Sequence, residues 1–142
     1  GPPALLARLC SCHMSDVSAA NDGFYAALNA AFDGDAAPMR HVWSARDDIT
    51  LMGPFGDCLV GHDAVLGQFR ELVDMGMTGH VGPVDVRVVQ GTDVGYVLGM
   101  EQGHNVVNGT RTDVRHRFTS AFRLEDGRWR MTHHHTDLTT FG

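Results

Sequence analysis

A chain of 142 residues, 43% hydrophobic and 20% charged, can bury one hydrophobic core but not two. Its net charge of −6 and scattered basic residues argue against a nucleic-acid partner, because phosphate binding needs a basic face. No apolar run approaches the roughly 18 residues of a membrane-spanning helix. Cys10, Cys12 and Cys58 are too few and too irregular for a disulfide framework, which points to the reducing cytoplasm.

Residues 1–14 read as a leader or tag-derived segment, and the native domain is expected over 15–142. Gly1-Pro2 resembles a protease-cleavage remnant, and Leu5, Leu6 and Leu9 make too short a run for a signal peptide. Cys10-Ser11-Cys12-His13 lacks the second ligand pair that a zinc site requires.

Ser15 and Asp16 can accept hydrogen bonds from the free amides of a first helical turn. Val17, Ala20, Phe24, Ala27, Leu28, Ala31 and Phe32 then recur at helical spacing, and Gly34 ends the run. A shorter helix is expected over Ala37–Trp43, with Pro38 tolerated in its first turn. Ile49–Met52 and Cys58–Val60 read as short strands joined through Phe55-Gly56-Asp57. His62-Asp63 read as the cap of a helix that buries Val65, Leu66, Phe69, Leu72 and Val73. From Gly82 onward the pattern is strands: Val84, Val86 and Val88 alternate with Asp85 and Arg87, then come Val94–Met100, Arg115–Leu124 and Trp129–Asp137. Asn108-Gly109 and the Glu125–Arg128 segment supply turns. Three helices followed by long antiparallel strands make an α+β fold, since no strand–helix–strand crossover repeats.

Trp43-Ser44-Ala45-Arg46-Asp47-Asp48-Ile49-Thr50-Leu51, Gly53-Pro54-Phe55-Gly56 and Gly61-His62-Asp63-Ala64-Val65 resemble the front half of a SnoaL-like domain, of the nuclear transport factor 2-like superfamily. Arg117-Phe118-Thr119, Gly127-Arg128-Trp129-Arg130-Met131 and His133-His134-His135 resemble its closing hairpin. The similarity runs from about Ser18 to Asp137. It implies an antiparallel sheet wrapped by helices around a cone-shaped pocket, a cystatin-like roll, commonly in a homodimer that packs through the sheet. Relatives of this kind include polyketide cyclases, ketosteroid isomerases, dehydratases and epoxide hydrolases. They also include the non-catalytic association domain of calcium/calmodulin-dependent kinase II, so fold alone assigns no reaction.

Strand alternation puts Trp129, Met131, His133, His135 and Asp137 on one face of the last strand. Trp129 and Met131 are apolar, so this face is expected to line the pocket and carry His133 and His135 inward as acid–base groups. A His-x-His pair on a strand could also bind a metal with Asp137 or His116, although relatives of this fold generally need none. Arg117 and Thr119 alternate together and are expected on the pocket face. A one-residue slip would bring Phe118 and Phe122 inward instead. Trp43, Met52, Phe55, Phe69, Tyr96 and Met100 are the expected wall residues, and the Tyr96 hydroxyl could donate to a substrate oxygen. Asp47-Asp48 read as solvated or capping carboxylates, and His41, His62 and His80 as surface groups. The expected activity is a cofactor-independent isomerase, cyclase or dehydratase acting on a small apolar or carbonyl-containing ligand. The alternative is a non-catalytic ligand-binding or dimerisation domain.

Overall fold

The computed structural model of the protein describes residues 16–54 and 56–140. Helix α1 (Val17–Phe32) starts where expected, because the Asp16 side chain accepts from the Ala19 amide at 2.8 Å. Its apolar stripe buries Val17, Phe24, Ala27, Leu28, Ala31 and Phe32, and Gly34, with φ of +97°, lets the chain leave the helix. The expected third helix is a single 3₁₀ turn, Ala37–His41. Strand-type pairing stops it there: Ser44 N donates to Met131 O and Met131 N to Val42 O, each at 2.9 Å, which draws Trp43 into a parallel bridge with Met131.

Strands β1 (Thr50–Met52) and β2 (Leu59–Val60) form a small antiparallel arm. Helix α2 (His62–Asp74) follows, and its cap corrects the sequence reading. Gly61, at φ of +93°, occupies the cap position, while Asp47 reaches across to accept from the His62 amide at 2.9 Å. Strands β3 (Thr78–Val89), β4 (Val94–Val107), β5 (Thr110–Glu125) and β6 (Arg128–Leu138) complete one sheet of order β2-β1-β6-β5-β4-β3. Only β1 and β6 run parallel to each other. Asn108-Gly109 and Asp126-Gly127 make the β4–β5 and β5–β6 turns with all four φ angles positive, between 50° and 78°. That is the conformation two-residue hairpins favour, because its twist matches the strands.

Two bulges reset the alternation that a uniform strand would keep. In β3 one extra residue sits between Val84 and Arg87, beside Asp85 at φ of +53°. Val84 therefore faces Met100 while Val88 faces Val97, so these valines do not share a face as their spacing implies. In β6, Phe122 pairs Met131 but Ala121 pairs His133, which leaves Thr132 as the extra residue.

The two helices cover one face of the sheet, called inner here. Phe24 lies at the centre of this core, with ring centroids 5.0 Å from Tyr25, 6.1 Å from Phe69 and 4.4 Å from His134. Across the sheet, Arg123 donates to Asp48, Glu125 and Ser44 at 2.7–3.1 Å and ties the segment before β1 to the β5–β6 hairpin.

Candidate active site

The bulge at Thr132 decides which histidine reaches the interior. Trp129 and Met131 do face the helices, paired with Leu124 and Phe122. Beyond the bulge the phase is reversed: His134 and Thr136 turn inward, buried opposite Ser120 and Phe118. His133, His135 and Asp137 turn to the outer face, opposite Ala121, Thr119 and Arg117. The expected inward row is thereby corrected. An unbroken alternation was assumed through a strand that has one residue too many.

Arg117 and Thr119 also lie outside, and Phe118 and Phe122 take the interior positions. Arg117 donates from Nε (2.8 Å) and from a terminal nitrogen to the two oxygens of Asp137. This ion pair pins two strands at the surface. It raises the guanidinium pKa and lowers that of the Asp137 carboxyl. His133 Nδ1 is 2.6 Å from Thr50 Oγ1, and its ring pKa is lowered by burial and then by the adjoining His134 and His135. Among the described residues no group of three or more His, Cys, Asp or Glu side chains is placed to hold a metal ion, and His116 lies on the face opposite to His133 and His135.

A cavity of about 370 Å³ opens between the helices, the β1–β2 arm and the inner face of the sheet, within the size range of small-molecule sites. Most of its wall is apolar, with Phe24, Leu28, Phe69, Leu72, Val81 and Val114 among the lining residues. Phe69 is the one expected wall residue found there among those described. Phe55 lies outside the described residues. Trp43 and Met131 are packed solid in the core, Trp129 lies beside α1 and the 3₁₀ turn, and Tyr96, Met100 and Met52 belong to the outer face.

The polar groups on the cavity wall are ones the sequence reading passed over. Glu101 on β4 stands directly opposite His116 on β5, and His116 Nδ1 is 2.8 Å from Glu101 Oε1. Tyr25 Oη donates to Glu101 Oε2 at 2.9 Å from α1. On β6, His134 Nδ1 is 2.7 Å from Ser120 Oγ, and its Nε2 stands 3.8 Å from Glu101 Oε2, too long for a hydrogen bond. Glu101, His116 and His134 line the cavity, with Tyr25 and Ser120 behind them.

Burial on its own would raise the Glu101 pKa. Hydrogen bonding from His116, the adjoining His134 and the Tyr25 hydroxyl outweigh it and bring the carboxyl down to about 2. The Tyr25 phenol is pushed far above its ordinary pKa, first by burial and then by the neighbouring carboxylate, so it stays a donor. An ionised Glu101 can only accept, so His116 must carry its proton on Nδ1 toward Oε1. Whenever the ring is neutral, that assignment leaves Nε2 as its free acceptor. The same carboxylate favours a proton on His134 Nε2, with the Ser120 hydroxyl donating to Nδ1. The wall thus presents a carboxylate-oriented imidazole base and, beside it, an imidazole N–H donor.

Such a cavity, formed by two helices over one face of a mainly antiparallel sheet, defines a class of α+β pocket proteins. Within that class the chain belongs to the SnoaL-like domain family, whose model matches residues 17–138. Among solved structures it is similar to a candidate dehydratase of the NTF2-like family from Streptomyces avermitilis, at 20% identity over 91% of this chain and 97% of that one, with a TM-score of 0.79. A ketosteroid isomerase-like protein from Erwinia carotovora atroseptica matches at 20% identity over 90% and 97% of the two chains, TM-score 0.75. A candidate calcium/calmodulin-dependent protein kinase type II association domain from Thiobacillus denitrificans matches at 25% identity over 88% and 96%, TM-score 0.69. No curated protein matches the sequence. Among the described residues no helix is long and apolar enough to cross a membrane.

Proposed function

We propose that this protein is a small-molecule enzyme of the isomerase, cyclase or dehydratase type, moving a proton beside a carbonyl group inside the cavity without a cofactor. One observation carries the reading: an ionised, buried carboxylate grips the proton of a cavity-lining imidazole in an otherwise apolar hollow. His116 Nε2 takes a proton from the carbon next to the carbonyl, and the electrons of that C–H bond move into the carbonyl to form an enolate. His134 Nε2–H hydrogen-bonds the developing oxygen charge. In a β,γ-unsaturated ketone the enolate is a dienolate, and return of the proton from His116 to its γ-carbon completes an isomerisation. In a β-hydroxy ketone the enolate electrons expel the hydroxyl, which takes the His116 proton and leaves as water, completing a dehydration. Glu101 holds the His116 tautomer and offsets the charge on the ring, while Tyr25 holds Glu101. The dehydratase and isomerase-like names of two fold relatives agree with this chemistry.

The test is deuterium incorporation next to the carbonyl of mono- and bicyclic ketones in D₂O, followed by proton NMR. Wild type is expected to accelerate exchange, and His116→Gln to slow it by about 100-fold, the usual worth of a general base. His135→Gln, on the outer face, should leave the rate unchanged. No acceleration across the ketone panel, or an H116Q rate equal to wild type, would reject the catalytic reading.

A second observation concerns assembly. The outer face leaves Val84, Val89 and Tyr96 exposed, with the half-buried Leu98 and Met100 in the same rows. We infer that a second copy of the chain covers this face, an arrangement in keeping with the association-domain name of one fold relative. Light scattering should give the mass of a dimer for wild type and of a monomer for Tyr96→Asp. A dimer that drives no exchange would favour the alternative, a non-catalytic ligand-binding or dimerisation domain. The cysteine usage keeps the cytoplasm as the expected compartment.

A further inference from the structure

The chain contains no lysine, and none of the arginines among the described residues lines the cavity. Arg117 and Arg123 of β5 turn to the outer face. Arg117 pairs with Asp137, and Arg123 with Asp48 and Glu125, which accounts for their charge on the outer side. The acidic residues along the cavity lining include Glu101, whose side chain is only 8% exposed, and Asp57 of the β1–β2 loop. Among the described residues the only basic side chains lining it are His116, already hydrogen-bonded to Glu101, and His134.

We propose that the cavity selects uncharged ligands and refuses carboxylates and phosphates of the same shape, so that its substrates are neutral carbonyl compounds. This rests on the reading of the cavity as a carbonyl site. A neutral carbonyl oxygen needs one donor there, and His134 Nε2–H supplies it. An anion entering the hollow would lose its water shell beside an ionised carboxylate, with no guanidinium or ammonium group to replace that shell. Sites that bind carboxylate or phosphate generally provide an arginine fork or a lysine. Here no described arginine lines the cavity, and Arg117 and Arg123 lie on the opposite face of the sheet.

The probes are 2-naphthamide and 2-naphthoate, which share ring system and shape but differ in charge. Binding to the full chain is measured by titration calorimetry at mildly alkaline pH. Wild type should bind the amide at least about tenfold more tightly than the carboxylate. Glu101→Gln keeps an acceptor oxygen for His116 and turns its amide N–H toward the Tyr25 hydroxyl, which can accept from it; by removing the buried negative charge it should narrow the ratio of the two affinities. Equal or tighter binding of naphthoate to wild type would overturn the charge selection while leaving the carbonyl reading in place. A gap undiminished in E101Q would overturn Glu101 as its source. Binding of neither probe, with no exchange on any ketone, would overturn both readings. The wild-type ratio stands by itself if E101Q does not fold.

Discussion

The two faces of the β4–β5–β6 ladder each hold a carboxylate gripped by a basic side chain. On the outer face Asp137 and Arg117 form a two-point ion pair whose side chains are 42% and 68% exposed. On the inner face Glu101 and His116 meet at 2.8 Å with side chains 8% and 15% exposed. Water can replace either partner of the first pair, and salt screens it. The second pair has no such substitute, so its members depend on each other for solvation and for their protonation states. Similar residue types therefore hold strands together on one side and can do chemistry on the other. What differs is access to water.

The sharpest way to break this contrast is to delete each carboxylate in turn. Glu101→Ala strands the Tyr25 hydroxyl and His116 Nδ1 in the interior, and should lower the unfolding free energy by about 3–5 kcal/mol. Asp137→Ala should leave the urea midpoint close to wild type. Equal losses for the two variants would mean that burial does not separate the pairs. A smaller effect sharpens the same point one strand over. Ser120→Ala leaves buried His134 Nδ1 without a partner and should cost about 1–3 kcal/mol, whereas Thr119→Ala, its neighbour on the outer face, should be near neutral.

Much of the fold was legible because the signals that set it are local. The Asp16 cap, the stripe from Val17 to Phe32, the closing Gly34 and the Asn108-Gly109 turn each act through residues close in sequence. The third helix failed because Trp43 is claimed by Met131, far along the chain. The facing of His133 and His135 was misread for one reason. An extra residue in a strand is invisible to periodicity, and Thr132 carries no glycine-like mark of a bulge. Three successive histidines meant that either phase would put an imidazole inside, so composition could not reveal the slip. The Glu101–His116 pair depends on a register across the Asn108-Gly109 hairpin. Counting outward from that two-residue turn pairs Thr110 with Val107 and eventually His116 with Glu101, so a signal was present in the sequence. Tyr25 carries no comparable signal, because its contact with Glu101 spans 76 positions.

Acid titration probes the inner pair without deleting atoms. The Glu101 carboxyl has a folded pKa of about 2 against an ordinary 4.5, so the folded state binds fewer protons than the unfolded chain between those values. Its contribution to stability is fully present above pH 4.5 and is lost as pH falls toward 2. Denaturant unfolding across that range should show wild type losing stability more steeply than Glu101→Gln. Parallel curves would mean that Glu101 titrates alike in both states, and the interior pair would then differ little from an ordinary surface ion pair.

The smallest expected effect lies on the outer face, at the edge of what water can reach. His133 is half-buried against Thr50, and its pKa is lowered, chiefly by burial and then by the nearby imidazoles of His134 and His135. Its unfolded form therefore takes up a proton first as pH falls from the ordinary value of 6.5. The stability it contributes is complete above that pH and drains away below it. His133→Gln, which keeps a polar partner for Thr50, should flatten the loss of stability on the acid side of neutrality. His135→Gln, two residues along the same outer face, should leave it. If both variants flatten the curve equally, the partial burial of His133 has no thermodynamic consequence, and the boundary between the two environments falls at the inner face of β6 rather than within the strand.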